Sequence, residues 1–102
     1  MKILNNEEFV NEVEKGQGVC LVDFFATWCG PCRMLAPVLE DVSGETSAKI
    51  YKVDIDENEE LSRKYGIMVV PTMIVFVNGK PVEKFTGYMQ KEEILKKLSN
   101  YW

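Results

Sequence analysis

Histidine is absent from the 102-residue chain, and that one omission removes Cys-His proteases, Ser-His hydrolases and every zinc site built on imidazole. Cysteine is scarce and odd in number, three in all, which argues against the paired disulfide framework of a small secreted domain. There is no basic excess: 12 Lys and Arg stand against 16 Asp and Glu, for a formal charge of −4. Because the cations are scattered among acids, no nucleic acid and no anionic membrane is expected as a partner. The apolar runs at 67–70 and 73–77, split by Pro71, fall far below the ~20 residues of a membrane span. The opening Met1-Lys2-Ile3-Leu4-Asn5-Asn6-Glu7-Glu8 turns acidic before a signal-peptide apolar region can form, so a cytoplasmic protein is expected.

What remains is an ordinary globular composition, 46% apolar and 27% charged, at the size of one domain spanning 1–102. Residues 2–4 read as a short strand. Asn5 with Glu8 three residues on has the spacing of a capping box, opening a helix whose apolar face is Phe9, Val10 and Val13 and which Gly16-Gln17-Gly18 breaks. The run from Val19 to Ala26 is almost continuously apolar and rich in β-formers, as suits a central strand covered on both sides. Met34, Leu35, Val38, Leu39 and Val42 recur at helical spacing, so a helix is predicted from about Cys29 to Val42, kinked at Pro37. Strands follow at 50–53, 73–77 and 82–86, the last two joined at Asn78-Gly79 as an antiparallel hairpin. Helices are predicted at 59–64 and 92–101. The order β-α-β-α-β-α-β-β-α implies an α/β fold, a mixed sheet with helices on both faces.

Chemistry concentrates in Trp28-Cys29-Gly30-Pro31-Cys32. Cys29 stands where a strand yields to a helix, and the helix N-terminus favours the charged thiolate that makes cysteine a nucleophile. Cys32 lies one turn on, so the two sulfurs share a face and can close a small ring. Gly30 lets a target backbone approach, and Pro31 suits a first-turn position. In the reducing direction Cys29 attacks a target disulfide and Cys32 displaces it from the mixed intermediate. Without histidine, Asp23 in the most apolar strand is the best acceptor for the Cys32 proton, since desolvation raises its pKa, and Lys52 is its candidate charge partner. A zinc site lacks ligands, as only Cys20 and carboxylates remain, and Cys20 reads as a small buried apolar residue. The acidic run at 54–60 starts like a calcium loop but carries Glu59 where glycine is needed and Tyr65 where the bidentate glutamate belongs, so it is expected to be a solvated loop and helix start.

Together with Val22-Asp23-Phe24, Ala26, Ala36-Pro37, the 52–56 run Lys-Val-Asp-Ile-Asp, Tyr65-Gly66-Ile67, Val70-Pro71-Thr72, Asn78-Gly79 and Gly87, this motif resembles the thioredoxin family from about Ile3 to Tyr101. The resemblance implies the thioredoxin fold, a mixed five-stranded sheet flanked by four helices, with the Val70-Pro71 bond cis against the cysteines. It implies a protein-disulfide reductase with Cys29 as exposed nucleophile, Cys32 resolving, Asp23 the buried proton acceptor and Lys52 its partner. Trp28, Gly30, Pro31, Val70, Pro71 and Gly87 would line the groove for an extended target. The expected partners are disulfide-containing proteins and a separate thioredoxin reductase, because the chain has no nucleotide-binding Gly-rich motif. A monomer is expected, with no metal and no cofactor beyond its own Cys29-Cys32 disulfide. An oxidase or isomerase would need a more oxidising pair, and the competing reading of another class is a redox-indifferent peptide-binding module built on the groove around Trp28 and Pro71. The chain departs from the family pattern at Phe25, Val69, Tyr88 and Met89.

Overall fold

The capping box forms as its spacing predicts: the Asn5 side chain accepts the Glu8 amide at 2.8 Å while the Asn5 amide donates to Glu8 Oε1 at 3.0 Å. It opens helix α1 (Asn6–Phe9), which a π-helical segment (Val10–Glu14) prolongs, burying Phe9 and Val13. A computed structural model describes residues 1–101; Trp102, the last residue of the domain expected over 1–102, lies outside the described residues. Strand β1 (Lys2–Ile3) precedes this helix.

Strand β2 (Val19–Phe25) is buried at six of its seven positions, as its unbroken apolar run requires. Helix α2 (Gly30–Ser43) continues through Pro37 and buries Leu35, Leu39 and Val42. Met34, expected on that apolar face, is exposed instead. It precedes Leu35 by one residue, about 100° around the helix, and falls outside the stripe that meets the sheet. Then come β3 (Lys49–Asp54), α3 (Glu59–Lys64), β4 (Thr72–Val77), β5 (Lys80–Thr86) and α4 (Lys91–Leu98), the last extended by a 3₁₀ turn through Tyr101.

The five strands lie in the order β1-β3-β2-β4-β5. β1 and β2 flank β3 in parallel, whereas β4 runs antiparallel to both β2 and β5. The β2-α2-β3 crossover is what parallel neighbours require. At the hairpin, Asn78 and Gly79 have φ of 50° and 82°, the pair of positive values that a tight two-residue turn between twisted strands needs. The turn is pinned from outside: Asn78 Oδ1 accepts the Gly18 amide at 2.7 Å, and a Cβ on Gly79 would collide with the Glu14 carbonyl.

Alternation along β2 sends its side chains to two cores. Val22 and Phe24 join Phe9, Tyr51, Ile74 and Phe76 on one face, while Leu21 joins Leu35, Leu39, Met73, Val75 and Ile94 beneath α2 and α4 on the other. Phe9 centres the first core, 5.5 Å from the Tyr65 ring and 5.7 Å from the Phe76 ring. Asp23, between Leu21 and Phe25, points to the α2 side. Within the described residues no helix is long and apolar enough to cross a membrane.

Candidate active site

The chain leaving the carboxyl end of β2 turns into α2 within four residues, the Cys29 amide donating to the Ala26 carbonyl at 3.2 Å. Cys29 is the N-cap of α2, with extended backbone (φ −90°, ψ 115°), and its sulfur accepts the Cys32 amide at 3.1 Å. A first-turn amide that would otherwise lack a partner thus points at this sulfur, where the helix dipole also favours negative charge. The two cysteines are joined as a disulfide with Cα atoms 5.2 Å apart.

Cys29 sits deeper than expected. Cys29, anticipated as an exposed nucleophile, is 4% exposed and Cys32 3% in this oxidised form, because the pair packs with Phe25 and Ala26 and against Ile55 and Val70. Above it, the Val70-Pro71 bond is cis, and the Val70 carbonyl oxygen lies 3.7 Å from Cys29 Sγ. Thr72 Oγ1 donates to the Val69 carbonyl at 2.7 Å and the Gly87 amide to the Pro71 carbonyl at 2.9 Å. Those bonds bring Val70, Pro71 and Gly87 to one side of the disulfide. Trp28, Gly30 and Pro31 surround it within the turn, and the space where a Gly30 side chain would stand is open.

Asp23 is fully buried, and neither carboxylate oxygen has a hydrogen-bond partner. Burial pushes its pKa up to about 7, with the Lys52 charge opposing the rise. Lys52 is the register partner of Asp23 across β2 and β3, so the two side chains share a face. Lys52, read as the charge partner of Asp23, acts on it through space: its ammonium lies 4.3 Å from the centroid of the Phe25 ring, and no ion pair joins the two among the described residues. A half-buried cation that keeps water and an aromatic face gains more there than by following a carboxylate into the interior. A hollow of about 300 Å³ between Cys32, Ala36, Arg33 and Lys52 opens on this side of the pair.

Two partners of the site escaped the sequence reading. Asp56 accepts the Trp28 indole N–H at 2.9 Å, so the acidic run at 54–60 is more than a solvated loop; no residue spacing announces a bond across 28 positions. Arg33 donates to the Thr27 carbonyl at 3.0 Å, bracing the turn from inside α2. Cys20 is buried, as read, and burial raises its thiol to about 11. Among the described residues no cluster of three metal-ligating side chains occurs.

Comparison with known proteins gives the same answer from three directions. The thioredoxin family model matches residues 1–100. A thioredoxin of Staphylococcus epidermidis is 45% identical over 100 residues, covering 96% of this chain and 94% of that protein, and one of Staphylococcus aureus is 46% identical with the same coverage. Among solved structures, a mutant thioredoxin from Halobacterium salinarum superposes with a TM-score of 0.89 at 36% identity, over 98% of this chain and 90% of that one.

Proposed function

The chain belongs to the thioredoxin family, and from that premise we propose that it reduces protein disulfides by exchange through Cys29 and Cys32 and is re-reduced by a separate thioredoxin reductase. The observation that carries this reading is the unequal setting of the two sulfurs: Cys29 Sγ takes the helix N-terminal amide of Cys32 at 3.1 Å, whereas Cys32 lies inside the helix.

Once reduced, Cys29 is the sulfur on which negative charge is stabilised, and it is the one beside Val70 and Trp28. Its thiolate attacks one sulfur of a target disulfide; an S–S bond forms to Cys29 as the target S–S bond breaks, and the released thiolate takes a proton from water. Cys32 must then lose its own proton. Asp23, held near pKa 7 by burial, accepts it at neutral pH, and Lys52 tempers that affinity through space. The Cys32 thiolate attacks Cys29 Sγ, re-forming the Cys29-Cys32 bond and expelling the second target sulfur as a thiolate, which takes a proton from water while Asp23 gives its own back to solvent. The target has gained two electrons and two protons; the reductase returns two electrons to the pair.

The groove lined by Trp28, Gly30, Pro31, Val70, Pro71 and Gly87 receives the extended target segment, and residues 1–102 act as one thioredoxin domain. The protein serves cytoplasmic electron transport as a monomer; the free Cys20 and the odd cysteine count suit a reducing compartment. In the test, insulin-type protein disulfide reduction is followed with thioredoxin reductase and NADPH. Turnover that requires both cysteines is expected; no turnover by the native protein, with target binding that survives Cys29→Ser unchanged, would leave the redox-indifferent binding module as the explanation.

A further inference from the structure

The hollow of about 300 Å³ on the Cys32 side of the disulfide is left unused by the exchange reaction and shares no lining residue with the groove for the target. Phe25, Ala26 and Ala36 supply its apolar lining, Arg33 and Lys52 its charge, and no acid lines it. Acids outnumber cations in this chain by 16 to 12, yet neither of these two cations takes part in an ion pair among the described residues. Arg33 commits one N–H to the Thr27 carbonyl at 3.0 Å, which leaves the rest of its guanidinium fork to a ligand. The ammonium of Lys52, itself half-buried, lies 4.3 Å from the centroid of the Phe25 ring. A half-buried cation without a counter-ion favours a carboxylate that is brought to it.

We propose that this hollow binds a small organic carboxylate, an apolar body of one ring or a short chain with a single anionic end, and that its occupancy slows resolution of the mixed disulfide. The apolar body covers Phe25 and Ala36 beside Cys32, and the carboxylate lies between Arg33 and Lys52. An inorganic anion would leave the apolar lining wet, and an uncharged body would leave both cations unpaired. The volume stands at the small end of ligand pockets and admits about ten non-hydrogen atoms, for which a dissociation constant of about 1 mM is expected. The brake follows from charge. Lys52 opposes the rise in the proton affinity of Asp23, and a bound anion cancels that opposition. Asp23 is then ionised in fewer molecules at neutral pH and accepts the Cys32 proton less often. Binding stands apart from the disulfide-reductase reading, whereas the brake rests on it.

The probe is 3-phenylpropionate, titrated into the oxidised protein at constant ionic strength and followed by the amide resonances of Thr27, Arg33 and Ala36, with 3-phenylpropanamide and acetate for comparison. Half-saturation at about 1 mM is expected, with the amide and acetate each roughly fivefold weaker or more. The acid-to-amide ratio should fall to about one in Arg33→Gln/Lys52→Gln and by about twofold in Arg33→Gln alone. The single variant alters an exposed side chain, so the comparison survives a double variant that does not fold. In single-turnover reduction of a protein disulfide, the probe at about 10 mM should slow resolution severalfold and leave formation of the mixed disulfide unchanged. Amide or acetate binding as tightly as the acid, a ratio unchanged in the variants, or no saturation by about 20 mM would overturn the site. Saturation without slower resolution would overturn the brake. If no mixed disulfide forms at all, the reductase reading falls and takes the brake with it, while the titration still decides the site.

Discussion

Replacing Asp23 by Asn should flatten the dependence of stability on pH between about 4 and 7. In the unfolded chain this carboxyl ionises near 3.8, whereas in the folded protein burial moves ionisation to about 7. Between those values the native state holds a proton that the unfolded state has lost, so stability is full below about pH 4 and falls as pH rises through 7. The interval corresponds to about 4 kcal/mol at about 1.4 kcal/mol per pH unit, a large part of the 5–15 kcal/mol typical of a domain. Neither oxygen has a partner to offset the charge, and Lys52 acts only through space. Guanidinium unfolding of the oxidised protein and of Asp23→Asn at pH 5, 6, 7 and 8 measures the difference. The native protein should lose stability steadily across the series and level off above pH 7, while the variant, having no ionisable group there, lacks this component. Parallel curves for the two proteins would refute the buried, unpartnered carboxylate as its source.

The same substitution should slow release of the mixed disulfide more than its formation, since only release needs the Cys32 proton removed; single-turnover kinetics with a protein disulfide separates the steps, and equal slowing would count against the role. Cys32→Ser should trap targets on Cys29 as mixed disulfides that persist in non-reducing gels and vanish with dithiothreitol. Asp56→Ala removes the acceptor of the Trp28 indole N–H; the indole resonance should move and KM for protein substrates should rise severalfold, with Asp56→Asn restoring much of both. Phe9→Ala empties the centre of the aromatic core, where Phe9 is fully buried, and should cost about 3–5 kcal/mol in denaturant unfolding.

The parts legible in the sequence are those whose cause is local. Asn5 and Glu8 satisfy each other across three residues, Asn78 and Gly79 carry their own positive φ values, and the stripe of Leu35, Leu39 and Val42 needs only helical period. Cys29 and Cys32 were legible as a pair because a separation of three residues suffices to join them. What stayed hidden depends on neighbours distant along the chain. The burial of Cys29 comes from Val70 and Ile55, the Lys52 ammonium is drawn to Phe25, and Glu14 takes the Lys64 ammonium at 2.6 Å and the Tyr65 hydroxyl at 2.5 Å although nothing in its own segment marks it. Met34 was misplaced because a five-residue apolar set fits a helix face wider than the sheet covers.

The small disulfide ring in the first turn of α2 has a consequence for traffic. A target and the reductase must each reach the same Cys29 sulfur, beside the same Val70 carbonyl, and a ring closed within one helical turn lets the pair change oxidation state with its Cα atoms already 5.2 Å apart, a separation that a disulfide spans. The two clients therefore take turns at one counter, electrons arriving and leaving in alternation. Flooding the protein with either client should delay the other, so throughput is greatest when their concentrations are balanced.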